Sequence, residues 1–206
     1  MKVLVVGSLG SMGKRYCAIL KYLDIDYVGI DLEEDTKEAF THAIICTPTD
    51  THIKWVWHCV EVYQIKNILC EKPISKNPEE IKKLAKLKDC GANIRMVCNW
   101  KYCLPKDVDI AYSNYNTGKD GTDWDCIQLI YLAKILTIDN TLPYFECRYK
   151  KDGLWNNILS LSDIEQSYLT MIQNWLELDG KKNDLWGMQN ALEATESVIK
   201  WEKDNE

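Results

Sequence analysis

Three glycines follow the first apolar run at positions 7, 10 and 13, within Val3-Leu4-Val5-Val6-Gly7-Ser8-Leu9-Gly10-Ser11-Met12-Gly13, and the residues after them read as a helix. Few folds accommodate that spacing. A strand ending at Val6 turns tightly at Gly7, the backbone at Gly10 is open to close approach by a pyrophosphate, and Gly13 lets the helix pack on the strand. The first amides of such a helix have no partner within it and point at the anion. A second strand-like run, Tyr27-Val28-Gly29-Ile30, ends at Asp31 at the distance this fold needs. A carboxylate there accepts both ribose hydroxyls of an adenosine and repels a 2′-phosphate, so NAD is the expected cofactor and NADP is disfavoured. The expected cofactor contacts of this segment are Gly7, Ser8, Leu9, Gly10, Ser11, Met12 and Asp31.

The chain of 206 residues is long for one domain and short for two, which favours a main domain with a smaller second one. Its composition, 46% hydrophobic and 27% charged, is that of a globular protein. A net charge of −6 with no basic cluster argues against nucleic acid as a partner. No apolar run is long enough to span a membrane, and the chain runs from Met1-Lys2 into a core strand without a leader-like segment, so a cytoplasmic protein is expected. The nine cysteines are odd in number, and Cys46 and Cys70 sit inside apolar runs, as buried reduced thiols do. Neither a Cys-x-x-Cys pair nor a tight Cys/His cluster occurs, and no metal site is expected.

To about residue 100, short apolar runs alternate with amphipathic stretches, the pattern of a doubly wound parallel sheet. The strands fall at 2–6, 27–31, 42–47, 67–71 and 94–98. Helices are expected over Lys14 to Leu23, over Thr51 to Tyr63, and from an Asn77 cap with Pro78 at the first helical position and Glu80 three residues after the cap, running to about Lys88. Only ten residues separate the second strand from the third, too few for a helix and another strand. The expected architecture is therefore α/β: a trimmed Rossmann-type domain over 1–104 and a reduced α+β domain over 105–206, with C-terminal helices that are candidates to pack back on the first. In the second domain, strands at 143–150 and 154–161 flank a Lys151-Asp152-Gly153 turn. A helix is expected over Asp123 to Lys134. A capping box at Ser162-Asp163-Ile164-Glu165 opens another that carries Tyr168, Leu169, Ile172, Trp175 and Leu176 on one face. A last helix covers about Leu185 to Lys203, with Leu192, Thr195 and Ile199 along one side. An exposed sheet face carrying Tyr144, Cys147, Tyr149 and Trp155 would be costly alone, so a homodimer through it is expected.

Three further segments occur in order after successive strands: Cys46-Thr47-Pro48-Thr49-Asp50-Thr51-His52, Glu71-Lys72-Pro73 and Asn99-Trp100-Lys101-Tyr102. Together they resemble the glucose-fructose oxidoreductase / inositol dehydrogenase (Gfo/Idh/MocA) family, over residues 1 to about 105. The match is looser beyond, where Asp125-Cys126-Ile127-Gln128-Leu129-Ile130 resembles the family's H-x-I-D-L-I segment and the stretch from Pro105 to Thr122 is short, as in a miniature member. The resemblance implies an NAD-dependent oxidoreductase that moves a hydride between nicotinamide and a hydroxyl or carbonyl carbon of a sugar, cyclitol or sugar-nucleotide; the alternative is a dinucleotide-binding accessory or sensor protein with little turnover. It implies that Lys72 handles the substrate proton, that Glu71 orients it, and that Thr47, Pro48, Thr49, His52, Glu71 and Lys72 line the cofactor cleft. For His52, capping or packing is an equal reading. The resemblance also points to Asn99, Trp100, Lys101 and Trp124 as substrate contacts. Asp125 stands where relatives place a catalytic histidine, and Gly121 where they place an aspartate. Asp125 and Asp123 are candidate assistants of Lys72, and equally candidate helix-capping acids. Lys101 replaces an arginine, so a bidentate grip on an anion is lost there.

Overall fold

Four of the five apolar runs of the first half are bounded tightly by polar residues or glycine, and all five form short parallel strands. The computed structural model describes residues 1–31, 36–113, 122–139, 142, 144–157, 160–177 and 185–205. The chain divides into two compact units, Met1–Val97 with Leu185–Leu192, and Cys98–Asp184 with Glu193–Glu206.

In the first unit the order is β1 (Lys2–Val6), α1 (Ser11–Tyr22), β2 (Asp26–Ile30), β3 (His42–Ile45), α2 (His52–Glu61), β4 (Asn67–Cys70), α3 (Pro78–Ala85) and β5 (Asn93–Met96). The strands pair all in parallel in the order β2-β1-β3-β4-β5. Val3 to Val6, Ala43 to Ile45 and Ile68 to Cys70 are fully buried, as strands covered on both faces must be. α1 begins three residues earlier than its apolar pattern predicts, because Ser11, Met12 and Gly13 already form its first turn. α3 starts as expected: Asn77 accepts from the Glu79 amide and Pro78 takes the first position. Glu80 does not reach back to the Asn77 amide directly. Ser75 stands between them, accepting from the Asn77 amide at 2.9 Å and donating to Glu80 at 2.5 Å. A tighter 3-10 turn, Lys86–Cys90, replaces the last expected turn and stops at Gly91, whose φ is +79°. The free edge of β5 is covered where Met96 donates to the Trp186 carbonyl.

The second unit runs β6 (Val108–Ser113), α4 (Thr122–Asp125), α5 (Ile127–Leu132), β7 (Ala133–Ile138), β8 (Glu146–Lys151), β9 (Leu154–Asn157), α6 (Leu161–Glu177) and α7 (Met188–Asn205). Its sheet has the order β7-β6-β8-β9, with β6 and β7 parallel and the other pairs antiparallel. Four expectations are corrected here. The helix expected over Asp123 to Lys134 ends at Leu132, and Ala133–Ile138 is a strand; its run of Ile135, Leu136, Thr137 and Ile138 suits a pleated surface. The cap of α6 is Ser160 rather than Ser162: Asp163 accepts from both the amide and the hydroxyl of Ser160. The buried side of α7 is Ala191, Ala194, Thr195 and Val198, small residues that Leu192 and Ile199 only flank. Finally, the expected dimer face mixes both sides of the sheet. Cys147 lies opposite Tyr112 and Tyr149 opposite Ile110, on the covered side, whereas Ile135, Asp109, Lys150 and Trp155 form a row on the other side. The hairpin turn is as expected, with Asp152 at φ +52° and Gly153 at +81°.

Candidate functional site

Strand register sets out the site. Val6, Ile30, Ile45 and Cys70 stand in one row across the first sheet. The next residues, Asp31, Gly7, Cys46 and Glu71, therefore leave it side by side at the C-terminal edge, where parallel sheets bind ligands. From Asp31 to Glu71 is three strand spacings, about 14 Å at about 4.8 Å each.

At Gly7 the chain turns with φ +87°, and the Gly7 and Ser8 amides both donate to the Ile30 carbonyl. A Cβ on Gly7 would stand 2.8 Å from the Cys46 carbonyl oxygen, and one on Gly13 only 2.1 Å from the Gly7 oxygen. These two glycines are required by packing of backbone on backbone. A Cβ on Gly10 would meet only the Gly7 oxygen at 3.3 Å, so Gly10 faces open space. No side chain caps α1, whose cap residue is Gly10. By helix geometry its first amides, at Ser11, Met12 and Gly13, have no intrahelical acceptor. Open space, an uncapped helix start and close backbone packing fit a dinucleotide pyrophosphate. Ser8 is turned inward against Gly29, where a Cβ would lie 2.7 Å from the Ser8 Cβ, and with its amide held by the Ile30 carbonyl it braces the turn against β2. Gly29 is thus a fourth glycine of the site, unmarked by the motif itself. The Leu9 amide donates to Asp31 at 3.3 Å, which puts the carboxylate against the glycine turn. The Leu9 side chain is exposed and Met12 is half-buried, accepting from Arg15.

After β3, the thiol of Cys46 donates to the Val6 carbonyl at 3.1 Å. Burial, and next the Glu71 carboxylate, push its ionisation far up, so it is a neutral structural thiol. Thr47 is buried and accepts from Thr51, which also donates to the Pro48 carbonyl; Pro48 is exposed and Thr49 half-buried at the opening of a 3-10 turn. His52 is buried, with Nδ1 2.8 Å from the Pro73 carbonyl and Nε2 2.8 Å from the Thr47 carbonyl. Of its two readings, packing is the one the geometry expresses: the ring clasps the loop after β3 to the Glu71-Lys72-Pro73 turn after β4. Glu71 is buried, accepting from the Tyr16 hydroxyl at 2.5 Å and from the Lys72 amide at 3.1 Å. Lys72 is half-buried and precedes a cis peptide bond to Pro73.

The remaining candidates lie in the second unit. Asn99 does not present a free amide: it is 1% exposed, donating to Ser167 at 3.2 Å and accepting from Gln128 at 3.2 Å. Gln128, also 1% exposed, accepts in turn from the Trp100 amide. This network pins the 3-10 turn Asn99–Tyr102 from α5 and α6. Trp124 is 9% exposed and likewise belongs to the core. Trp100 is half-buried and meets Tyr112 edge-on at 5.8 Å and Phe145 at 6.5 Å, an aromatic cluster of the same unit. Lys101 is half-exposed on the pinned turn. Asp125 closes α4 and does not cap α5, whose cap is Cys126, so the capping reading does not hold for it. Its charge helps raise the ionisation of the buried Tyr112 phenol, after burial itself and Cys126 and Cys147. Asp123 lies in α4, and its side chain, like Gly121 altogether, lies outside the described ones. No cluster of His, Cys, Asp or Glu able to hold a metal occurs among the described residues. Tyr16 and Gln128 escaped sequence reasoning because their partners lie 55 and 29 residues away.

Residues 26–97 match the profile of the family GFO_IDH_MocA, described as an oxidoreductase family with an NAD-binding Rossmann fold. No curated protein matches the chain by sequence. Among solved structures, the WlbA (WbpB) dehydrogenase from Thermus thermophilus, in complex with NAD and UDP-GlcNAcA, is 13% identical with a TM-score of 0.73, covering 98% of this chain and 94% of that one. A myo-inositol dehydrogenase from Corynebacterium glutamicum is 12% identical, TM-score 0.75, over 97% and 94%. The scyllo-inositol dehydrogenase from Lactobacillus casei, with bound NAD(H) and scyllo-inositol, is 12% identical, TM-score 0.67, over 97% and 95%. At such identity these likenesses bear on the fold. The family profile covers about a third of the chain, and the solved structures share with it the fold, whose first unit is a parallel sheet of the Rossmann type.

Proposed function

We propose that the protein is an NAD-dependent oxidoreductase acting on a CH–OH or carbonyl carbon of a sugar, cyclitol or sugar-nucleotide. The observation that carries this reading is the row Asp31, Gly7, Cys46 and Glu71 at one sheet edge, with a glycine cradle at one end and Lys72 at the other. Bound in the cradle, the nicotinamide cofactor supplies the hydride acceptor or donor. The residues of this chain do the rest. The amides of Ser11 to Gly13 take the pyrophosphate, and Asp31 takes the adenosine ribose. Thr47, Pro48 and Thr49 line the cleft, held in place by His52. Lys72, oriented by Glu71, gives a proton to or takes one from the substrate oxygen. Asp125 is assigned as its assistant, with Asp123 as the other candidate, and Lys101 as a substrate contact beside the edge of Trp100. The substrate class is supported by the ligands of the structural neighbours, UDP-GlcNAcA and inositol. Nine free cysteines suit a reducing compartment such as the cytosol. We assign a homodimer to the open row of the second sheet, Ile135, Asp109, Lys150 and Trp155.

Calorimetric titration with NADH and NADPH, followed by turnover over a panel of keto-sugars and keto-inositols, tests the reading. NADH is expected to bind at least about tenfold more tightly than NADPH, the worth of one unfavourable phosphate–carboxylate contact. Asp31→Ala removes that preference. Lys72→Ala abolishes turnover and keeps NADH affinity; equal loss of both overturns the role of Lys72, and no NADH binding by the unaltered protein overturns the whole reading.

A further inference from the structure

We propose that Tyr16 is a positioning residue, a strut that ties the helix of the phosphate cradle to the backbone of Lys72, so that cofactor in the cradle stiffens the turn bearing the lysine. This rests on the cofactor and lysine assignments above. Tyr16 is fully buried on α1, one turn beyond the uncapped start at Gly10 to Gly13. Its hydroxyl donates to one oxygen of Glu71 at 2.5 Å, and the other oxygen accepts from the Lys72 amide at 3.1 Å. The Glu71 amide donates to the Ile45 carbonyl at 2.8 Å, anchoring the same residue to β3. A buried carboxylate is therefore gripped at both oxygens, from α1 on one side and from the residue it orients on the other. Short bonds to an ionised acceptor are among the strongest available to side chains, and leaving a buried carboxylate oxygen without its donor is expensive. An anion on the first turn of α1 restrains that helix, and through the rigid phenol it restrains Glu71 and Lys72. By linkage, whatever fixes the Lys72 turn also favours the anion.

Amide hydrogen exchange on the full chain, with and without NADH, tests the strut in the unaltered protein, in Tyr16→Phe and in Glu71→Ala. Tyr16→Phe keeps the ring and removes only the hydroxyl. Without cofactor, the Lys72 amide is expected to exchange about tenfold faster in Tyr16→Phe, as for the loss of one bond to a charged group, while the β4 amides of Leu69 and Cys70 hold their rates. NADH slows the Lys72 amide in the unaltered protein and leaves it unchanged in Tyr16→Phe, although that variant still binds NADH. Should Tyr16→Phe fail to fold, Glu71→Ala carries the test: it removes both acceptor oxygens, so the Lys72 amide loses its partner and NADH no longer slows its exchange. An unchanged Lys72 amide in the folded variant, or NADH protection that survives the loss of the hydroxyl, overturns the proposal. Absence of NADH binding by the unaltered protein overturns the cofactor reading instead, and the cofactor-free comparison still decides the strut.

Discussion

The three glycines of the motif do different work, and single methyl groups separate them. A Cβ on Gly13 falls 2.1 Å from one backbone atom and 2.6 Å from another, and neither can yield without moving the turn itself. A Cβ on Gly10 meets a single oxygen at 3.3 Å. Gly13→Ala is therefore expected to destabilise the first unit by about 1 to 3 kcal/mol, in the range of an overpacked core, and to lose NADH with it. Gly10→Ala is expected to leave the unfolding midpoint within about 0.5 kcal/mol, as a surface change does, while NADH affinity falls, because the methyl occupies the space the pyrophosphate needs. Urea unfolding beside calorimetry on the two variants checks this; equal behaviour of both would remove the distinction. Asn99 makes the complementary point. A motif placed it in the site, yet each end of its amide is engaged within the second unit by a residue 29 or 68 positions away. Partners at that distance cannot be read along a chain.

At the scale of elements, legibility followed from how much of the pattern is local. The strands β1, β3 and β4 are readable because a strand buried on both faces is an unbroken apolar run, and α3 because its cap, proline and acidic first turn lie within four residues. β7 was not readable. Ile127 to Ile138 is one mostly apolar stretch interrupted only by Gln128, Lys134 and Thr137, with no turn residue to divide helix from strand, and what ends the helix is pairing with β6, twenty-five residues upstream. The α6 start was misplaced by two residues, because Ser160 and Ser162 both have the chemistry of a cap and only the geometry selects Ser160. Helix starts also divide by purpose. α3 and α6 are closed by side chains, whereas α1 is left open at Gly10. Asn77→Ala and Ser160→Ala are each expected to cost about 1 kcal/mol of stability without changing NADH affinity. A fall in affinity in either variant would show that the cap does more than close its helix.

For the molecule as a whole, assembly and pH response remain. If the open row of the second sheet joins two copies, Trp155, 50% exposed, and Ile135, 56% exposed, are its apolar centre, with Asp109 and Lys150 between them. Trp155→Glu is then expected to shift the sedimenting species from dimer to monomer with NADH affinity kept; a monomer in the unaltered protein overturns the dimer. The buried thiols are expected to weaken both units at alkaline pH. Burial alone holds Cys59 up to about 12, and burial, followed by Cys103, Cys126 and Glu146, holds Cys147 up to about 12, against an ordinary value of 9.0. Cys46, Cys70 and the Tyr112 phenol are likewise pushed up, chiefly by burial. Below pH 9 these thiols are neutral in the folded and unfolded chains alike, and their contribution is fully present. Between pH 9 and 12 the unfolded chain releases protons that the folded one keeps, so stability falls as pH rises, by up to about 1.4 kcal/mol per pH unit for each thiol. Under reducing conditions the unfolding free energy is expected to decline across this window. Cys59→Ala in the first unit and Cys147→Ala in the second should each lower stability at pH 7 through the small cavity they leave, and each should flatten the alkaline slope by about one proton. Slopes unchanged by the substitutions would mean that the thiols already reach water in the folded protein, and that the alkaline limit is set by other groups.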